Sequence, residues 1–165
     1  MKTSETTSLI QRPRAFEAIV FGGLVAGFLD GLDAVVFYRW AFDVRPAELF
    51  QSIASGILGV RSFTGGWQTV ALGVALQFTI ATGAAAVFFA ATRVIPALNR
   101  WPYVLGPAFG LIVYFVMHYI VVPLSAVPRR TVPVTTVELL DLVFAHMFLV
   151  GLPIALLARR SARLP

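Results

Sequence analysis

The sequence predicts an all-α integral membrane protein, a four-transmembrane-helix up-down bundle that forms a single membrane domain over residues 1–165. Hydrophobic residues make up 58% of the chain and charged residues 13%, a balance that does not suit a soluble domain of this length. The apolar residues fall into four stretches, each with the roughly 20 residues needed to cross the hydrocarbon core of a bilayer. These stretches are 16–38, 67–92, 103–124 and 137–158.

The first span, 16–38, follows a polar and basic N-terminal segment of the kind that begins a signal peptide. The apolar stretch behind it is long and carries no small-residue cleavage site, so we expect a retained membrane helix. Gly23, Gly27 and Gly31 recur every fourth residue, a spacing that allows close approach of a neighbouring helix. We expect this face to pack inside the bundle and to carry Asp30 inward with it.

A short amphipathic helix is predicted at 46–59, in the loop after the first span. Pro46 suits the first position of a helix and Glu48 its first turn, and apolar residues follow at helical spacing. With about 14 residues the segment is too short to cross the membrane. We expect it to lie at the interface, in preference to covering the mouth of the bundle. Residues 61–67, with two adjacent glycines, are expected to form a flexible turn into the second span.

The second and third spans carry packing signals. Gly73 and Gln77 belong to a stripe of small and polar residues in the second span, and Gly106 with Gly110 repeats the close-approach spacing in the third. Both patterns are typical of contacts between membrane helices.

Four residues near helix ends are assigned structural roles. Glu138 and Asp141 begin the fourth span, where acidic side chains interact favourably with the positive end of the helix dipole. Pro123 and Pro153 are expected to kink or end the third and fourth helices, because proline lacks a backbone N–H.

The distribution of basic residues predicts the orientation. Eight lie on the side of the termini: Lys2, Arg12, Arg14, Arg93, Arg100, Arg159, Arg160 and Arg163. Five lie on the opposite side: Arg39, Arg45, Arg61, Arg129 and Arg130. The positive-inside rule therefore places both termini in the cytoplasm. The formal net charge of +5 is then explained by the basic residues that set the orientation of the loops. The sequence contains no basic stripe interleaved with aromatic residues, the pattern that would indicate nucleic-acid binding.

Polar side chains inside the spans are the best guide to function, because lipid makes them expensive. At about 1.5 Å per residue, Asp30, Gln77, His118 and His146 all lie at a similar depth below the ends that an up-down bundle brings to the outer side. A charge in hydrocarbon costs about 2.5 to 3.5 kcal/mol. We therefore expect these four side chains to converge in one polar layer.

Two further residues are candidates for the same layer. Asp33 lies one turn above Asp30 and is either a second carboxylate of the layer or a group that reaches headgroup water or Arg39. Tyr114 lies one turn from His118 and is a candidate member of a proton relay.

A proton-linked role is our main functional hypothesis. Histidine titrates near neutral pH and responds to its neighbours, so a layer of aspartate and histidine would sense or relay protons, or gate a small solute or cation. The chain contains no catalytic motif, and Ser125 lacks a G-x-S-x-G setting. We therefore predict no catalytic residue and favour a protein that is not an enzyme.

Other interpretations stay open. The polar layer is alternatively a structural clasp that fixes helix register. Asp30, His118 and His146 also match a divalent site with open positions, which would make the chain an intramembrane metalloprotein or metal-dependent enzyme holding zinc or iron. Haem b between the two histidines is a weaker alternative. No cofactor is predicted, since the chain has no H-E-x-x-H pair and no cysteine.

The surroundings of the chain follow from the same patterns. The lipid bilayer is the expected environment, and no nucleic-acid partner is expected. The glycine faces would also serve a structural or accessory subunit, packed against a membrane-protein partner or a second copy of this chain.

The third and fourth spans carry a resemblance to a known family. It rests on the order and spacing of Gly106, Gly110, His118, Pro123, Leu124, Pro128, Glu138, Phe144 and His146. This pattern, over about residues 106–146, is similar to that of the YagU-like bacterial inner-membrane proteins. The resemblance implies a multi-span inner-membrane protein without an established biochemical activity, and it supports His118 and His146 as meaningful positions.

Overall fold

The fold is described by a computed structural model, which covers the backbone of residues 3–163 and the side chains of residues 15–162. The described part is helical and contains no strand. Four helices are long and apolar enough to cross a membrane: Ala15–Phe42, Gly66–Val94, Pro102–Leu124 and Thr136–Ala162. These are called the first to fourth spans. The prediction of an all-α bundle of four membrane helices is confirmed.

The spans begin and end close to the predicted positions. The first span belongs to a longer helix, Thr3–Phe42, and continues four residues beyond the predicted end at 38 because the apolar pattern runs on through Trp40 and Phe42. A single turn of helix, Ala97–Arg100, connects the second span to the third. The side of the bundle that holds this turn is called the terminal side, and the opposite side is called the loop side.

The first span is the centre of the bundle, since it packs between the second and the fourth. The third span packs mainly on the fourth. The second and third spans meet near the terminal side, where the rings of Phe88 and Phe109 lie 4.9 Å apart. The four helices are therefore packed on the terminal side and leave a space between the second and third spans on the loop side.

An apolar cluster closes the terminal half of the bundle. Phe88, Ile154 and Ala155 are at most 2% exposed. Small residues complete the cluster, and they are Ala26, Ala85, Val150 and Ala158. Because small side chains let helices approach closely, this half of the bundle is tightly packed.

Glycines permit the closest helix contacts. A Cβ atom at Gly110 would overlap the carbonyl oxygen of His146, and one at Gly106 would lie 2.9 Å from the Cβ atom of Ala155. In the first span, a Cβ atom at Gly23 would lie 2.5 Å from the Cα atom of Thr82. The third and fourth spans, and likewise the first and second, thus touch through their backbones.

The contacts of the other predicted packing glycines differ from one another. Gly27 faces the ring of Phe78, whereas a Cβ atom at Gly31 would meet Gln77 at an ordinary 3.8 Å. Gly73 does not face a membrane-spanning helix, because a Cβ atom there would overlap the carbonyl oxygen of Phe50 in the loop. The small residues around Gly73 therefore receive the loop segment.

That loop segment forms the helix Pro46–Leu58, called the loop helix, followed by a 3₁₀ helix, Gly59–Thr64. The expected flexible turn at 61–67 is therefore wrong over most of its length. The loop helix packs along the second span, and the Gln51 amide donates to the Thr69 hydroxyl at 3.2 Å. It does not simply lie at the interface: it covers the space between the second and third spans.

Both proline-containing spans include a π-helical turn. Met117–Val121 lies in the third span and Ala145–Gly151 in the fourth, and each turn ends two residues before a proline, Pro123 or Pro153. Proline removes a hydrogen-bond donor and clashes with the carbonyl four residues earlier, and the wider turn relieves this conflict. Pro153 does not end its helix, which continues to Arg163, whereas the third span ends at Leu124, one residue after Pro123.

The contact between the third and fourth spans predicts the effect of a single methyl group. Gly110→Ala should destabilise the bundle by about 1–3 kcal/mol, the cost of overpacking, because the methyl group would overlap the His146 carbonyl. At about 2–4 °C per kcal/mol, thermal unfolding in detergent should begin several degrees lower. Gly83→Ala is the matched control, since a Cβ atom there meets nothing within 4 Å. Equal melting temperatures for both variants would contradict this packing.

Candidate functional site

A cavity of about 940 Å³ occupies the space between the second and third spans on the loop side. All four spans, the loop helix and the 125–135 loop contribute to its lining. Glu48 and Ser52 of the loop helix and Val122 of the third span belong to the lining and are exposed. The cavity therefore reaches the surface on the loop side, whereas the apolar cluster closes it toward the terminal side.

One wall of the cavity is acidic. Asp30 and Asp33 of the first span and Asp141 of the fourth line it, and the carboxylates of Asp30 and Asp33 are near enough to Asp141 to repel it. The Gln77 amide donates to Asp30 Oδ2 at 2.7 Å, which links the second span to the first. Like charges in a region of low dielectric repel strongly, so this wall favours a proton or another cation.

Tyr114, His118 and His146 line the same cavity. The Tyr114 ring is stacked on the His118 imidazole with centroids 5.4 Å apart, as expected for residues one helical turn apart. It contacts His146 edge-on at 5.6 Å. Tyr114 is only 4% exposed, so it joins the third span to the fourth.

The π-helical turns place both imidazoles at the cavity. His118 is the second residue of Met117–Val121, and His146 is the second residue of Ala145–Gly151. The His146 Nδ1 atom lies 2.8 Å from the Leu142 carbonyl oxygen. Because a carbonyl only accepts hydrogen bonds, Nδ1 carries the proton in this contact. The Nε2 atom of a neutral His146 is then an acceptor.

An ion pair between the half-exposed Arg130 and the buried Glu138 borders the cavity mouth. Glu138 has no exposed surface, and its carboxylate accepts from Arg130 at 2.6 and 3.1 Å. The Tyr38 hydroxyl donates to the same carboxylate at 2.8 Å. The group therefore fastens the 125–135 loop to the first and fourth spans. The hydrogen bond that Arg130 donates to Glu138 raises the pKa of Arg130 above its ordinary value.

The Glu138 group shows what sequence reasoning missed. Thr135 and Glu138 have the T-x-x-E spacing of a capping box, and Thr135 Oγ1 does accept from the Glu138 N–H at 3.2 Å. The carboxylate does not complete the box, because Arg130 and Tyr38 bind it. The assignment of Glu138 and Asp141 to the helix dipole alone is therefore incomplete, since Asp141 lies in the acidic wall.

The structure brings the predicted polar residues to one cavity. Its lining includes Asp30, Asp33, Gln77, Tyr114, His118 and His146. Asp33 does not pair with Arg39, which forms an ion pair with Asp43. Among the described side chains, the histidines contact Tyr114, while Asp30 contacts Gln77. The predicted residues thus share one cavity, and the convergence of Asp30, Gln77, His118 and His146 into a single layer stays a prediction.

The residues do not form a compact metal centre. Within the described part of the chain, no three His, Asp or Glu side chains are grouped closely enough to hold a metal ion. Asp30, His118 and His146 nevertheless line the same cavity.

These observations define the class of protein: a membrane protein of four spans with an internal cavity lined by acidic and aromatic residues. The chain matches no protein-family model, no curated protein and no solved structure. The similarity to the YagU-like proteins over residues 106–146 stays a prediction.

The Glu138 group predicts a difference between two conservative substitutions. Tyr38→Phe removes one donor and should cost about 1 kcal/mol, whereas Glu138→Gln removes the charge that holds Arg130 and should cost about 1–3 kcal/mol. Hydrogen exchange measured by mass spectrometry should show faster exchange in the 125–135 loop for Glu138→Gln than for Tyr38→Phe. Glu17→Gln, at an exposed position of the first span, is the control. Unchanged exchange in Glu138→Gln would show that the ion pair does not fasten the loop.

Proposed function

We propose that the chain is a bacterial inner-membrane protein in which the protonation of the cavity gates access for a small solute or cation. The observation that carries the proposal is the placement of ionisable side chains from several elements around one cavity that is closed at its terminal end. These side chains are Asp30, Asp33, Tyr38, Glu48, Tyr114, His118, Arg130, Asp141 and His146.

The loop helix, which lies over the cavity and is called the cover, is the element that would move. The Gly56 carbonyl of the loop helix accepts from the Ala126 N–H at 3.0 Å, which joins the loop helix to the 125–135 loop. The Glu138 group holds this loop from the other side. A cover attached by a few polar bonds can open locally while the packed terminal half stays intact.

The sign of the response follows from the acidic wall. When Asp33 and Asp141 are ionised, they repel each other and require water or a cation. When they are protonated, the wall is neutral and the cavity closes more easily. Low pH should therefore favour the closed cover.

This response can be measured with two spin labels, because the chain has no cysteine. Labels at Ala47→Cys in the loop helix and Thr131→Cys in the loop occupy exposed positions. Pulsed electron paramagnetic resonance should show longer and more broadly distributed distances between the two labels at about pH 8 than at about pH 5.5. This is the range in which histidine titrates. The added substitutions Asp33→Asn and Asp141→Asn should keep the short distance at both pH values.

A label pair at Glu17→Cys and Val87→Cys, on the terminal half, should give the same distance at both pH values. Identical distances at both pH values for the loop-side pair would refute the gate. Elemental mass spectrometry separates the gate from the metal-site alternative. Stoichiometric metal in the wild type that is lost in His118→Ala/His146→Ala would favour a metalloprotein.

The orientation is part of the proposal and has its own test. Eight basic residues on the terminal side against five on the loop side support termini in the cytoplasm. A membrane-impermeant maleimide should label Ala47→Cys in intact spheroplasts, and it should label Ala162→Cys only after lysis. The opposite pattern would reverse the orientation and place the cavity mouth in the cytoplasm.

A further inference from the structure

We propose that the ligand of the cavity is an organic cation, with a positively charged head group on an apolar body. This inference rests on the proposed gate and names the class of solute that the gate would admit. Three features of the cavity carry it: its size and apolar lining, its unbalanced negative charge, and the open hydroxyl group of Tyr114.

The cavity has the size and surface of a site for an organic molecule. Its volume of about 940 Å³ lies within the range of about 300–1,000 Å³ that is usual for ligand pockets. Ile80 of the second span, Val113 of the third and Val150 of the fourth contribute apolar side chains to the lining. A ligand that fills this space therefore gains from burial of an apolar body.

The carboxylates of the cavity lining favour a ligand of positive charge. Asp30, Asp33 and Asp141 are carboxylates of one wall, and Gln77 is a neutral partner for the first of them. Arg130 is the basic side chain of the lining, and two of its nitrogens are already bound to Glu138. Among the described residues, these three aspartates form no ion pair, which favours a positively charged ligand.

The distribution of the carboxylates argues against a small inorganic ion. Divalent metals are held by several oxygen or nitrogen ligands close together, about six to eight oxygens for calcium. The part of the chain that the structure describes contains no group of three such side chains. Carboxylates spread along one wall of a large cavity suit a diffuse charge on a larger molecule.

Tyr114 supplies an observation that is independent of the carboxylates. It is 4% exposed, lines the cavity, and its hydroxyl makes no hydrogen bond within the described part of the chain. The hydroxyl is not among the described buried polar atoms that lack a partner, so it is open to the cavity, where a ligand with an acceptor, or its water, can bind it. The ring also offers its electrons to a cation.

The test uses two probes of one shape and opposite charge. Tetraphenylphosphonium and tetraphenylborate are titrated by calorimetry into the purified full chain in a non-ionic detergent. The phosphonium ion should bind saturably and the borate ion should not. In Asp33→Asn/Asp141→Asn the affinity for the phosphonium ion should fall by at least about tenfold, which is about 1.4 kcal/mol. Glu17→Gln, an exposed carboxylate on the first span, should bind like the wild type.

A second measurement keeps the test valid if the double variant fails to fold. In the wild type, affinity for the phosphonium ion should fall by at least about fivefold from about pH 8 to about pH 5.5, because protons and the cation compete for the same carboxylates. Equal affinity for both probes, no binding of the phosphonium ion, or binding that is independent of pH would each overturn the inference.

The two proposals can fail separately. If the phosphonium ion does not bind while the spin-label distances still change with pH, the organic-cation inference is wrong and the gate stands. If the ion binds as expected while the distances do not change with pH, the gate is wrong and the cavity is a static binding site.

Discussion

The close contact between the third and fourth spans is the constraint on which the site depends. Gly110 lies against the backbone of His146, and Gly106 lies against that of Gly151. Because these helices touch through their backbones, Tyr114 reaches both His118 and His146. A larger residue at the contact would separate the two imidazoles. The position of the two imidazoles beside Tyr114 is therefore a consequence of helix packing.

Polar groups in this bundle are arranged by the partners that each can find. Glu138 is fully buried and is balanced by Arg130 from the neighbouring loop, the arrangement that makes a buried carboxylate tolerable. Within the described side chains, the aspartates of the cavity form no ion pair, although Asp30 accepts from Gln77. The ionised Glu138 thus holds the 125–135 loop in place, whereas the ionised aspartates favour a positive charge beside them.

Hydropathy was sufficient to predict the four spans, and depth along each helix was sufficient to bring Asp30 and His118 to one cavity. The partners at each position were harder to predict because they depend on rotation and on loop contacts. The capping pattern at Glu138 is local, and nothing in it indicates that Arg130 would bind the carboxylate. The stripe at Gly73 signals close approach, but only the folded chain shows that Phe50 of the loop helix is the neighbour.

The π-helical turns at Met117–Val121 and Ala145–Gly151 have a mechanical consequence. Each contains one residue more than an α-helical turn would hold, since its hydrogen bonds span five residues instead of four. If the π-helical turn shifts along the helix, the side chains between its old and new positions rotate by about 100°. This is the angle between successive residues of a helix with 3.6 residues per turn. His118 and His146 therefore occupy positions at which a membrane helix can re-aim a side chain while its backbone remains hydrogen-bonded and its two ends stay where the bilayer holds them.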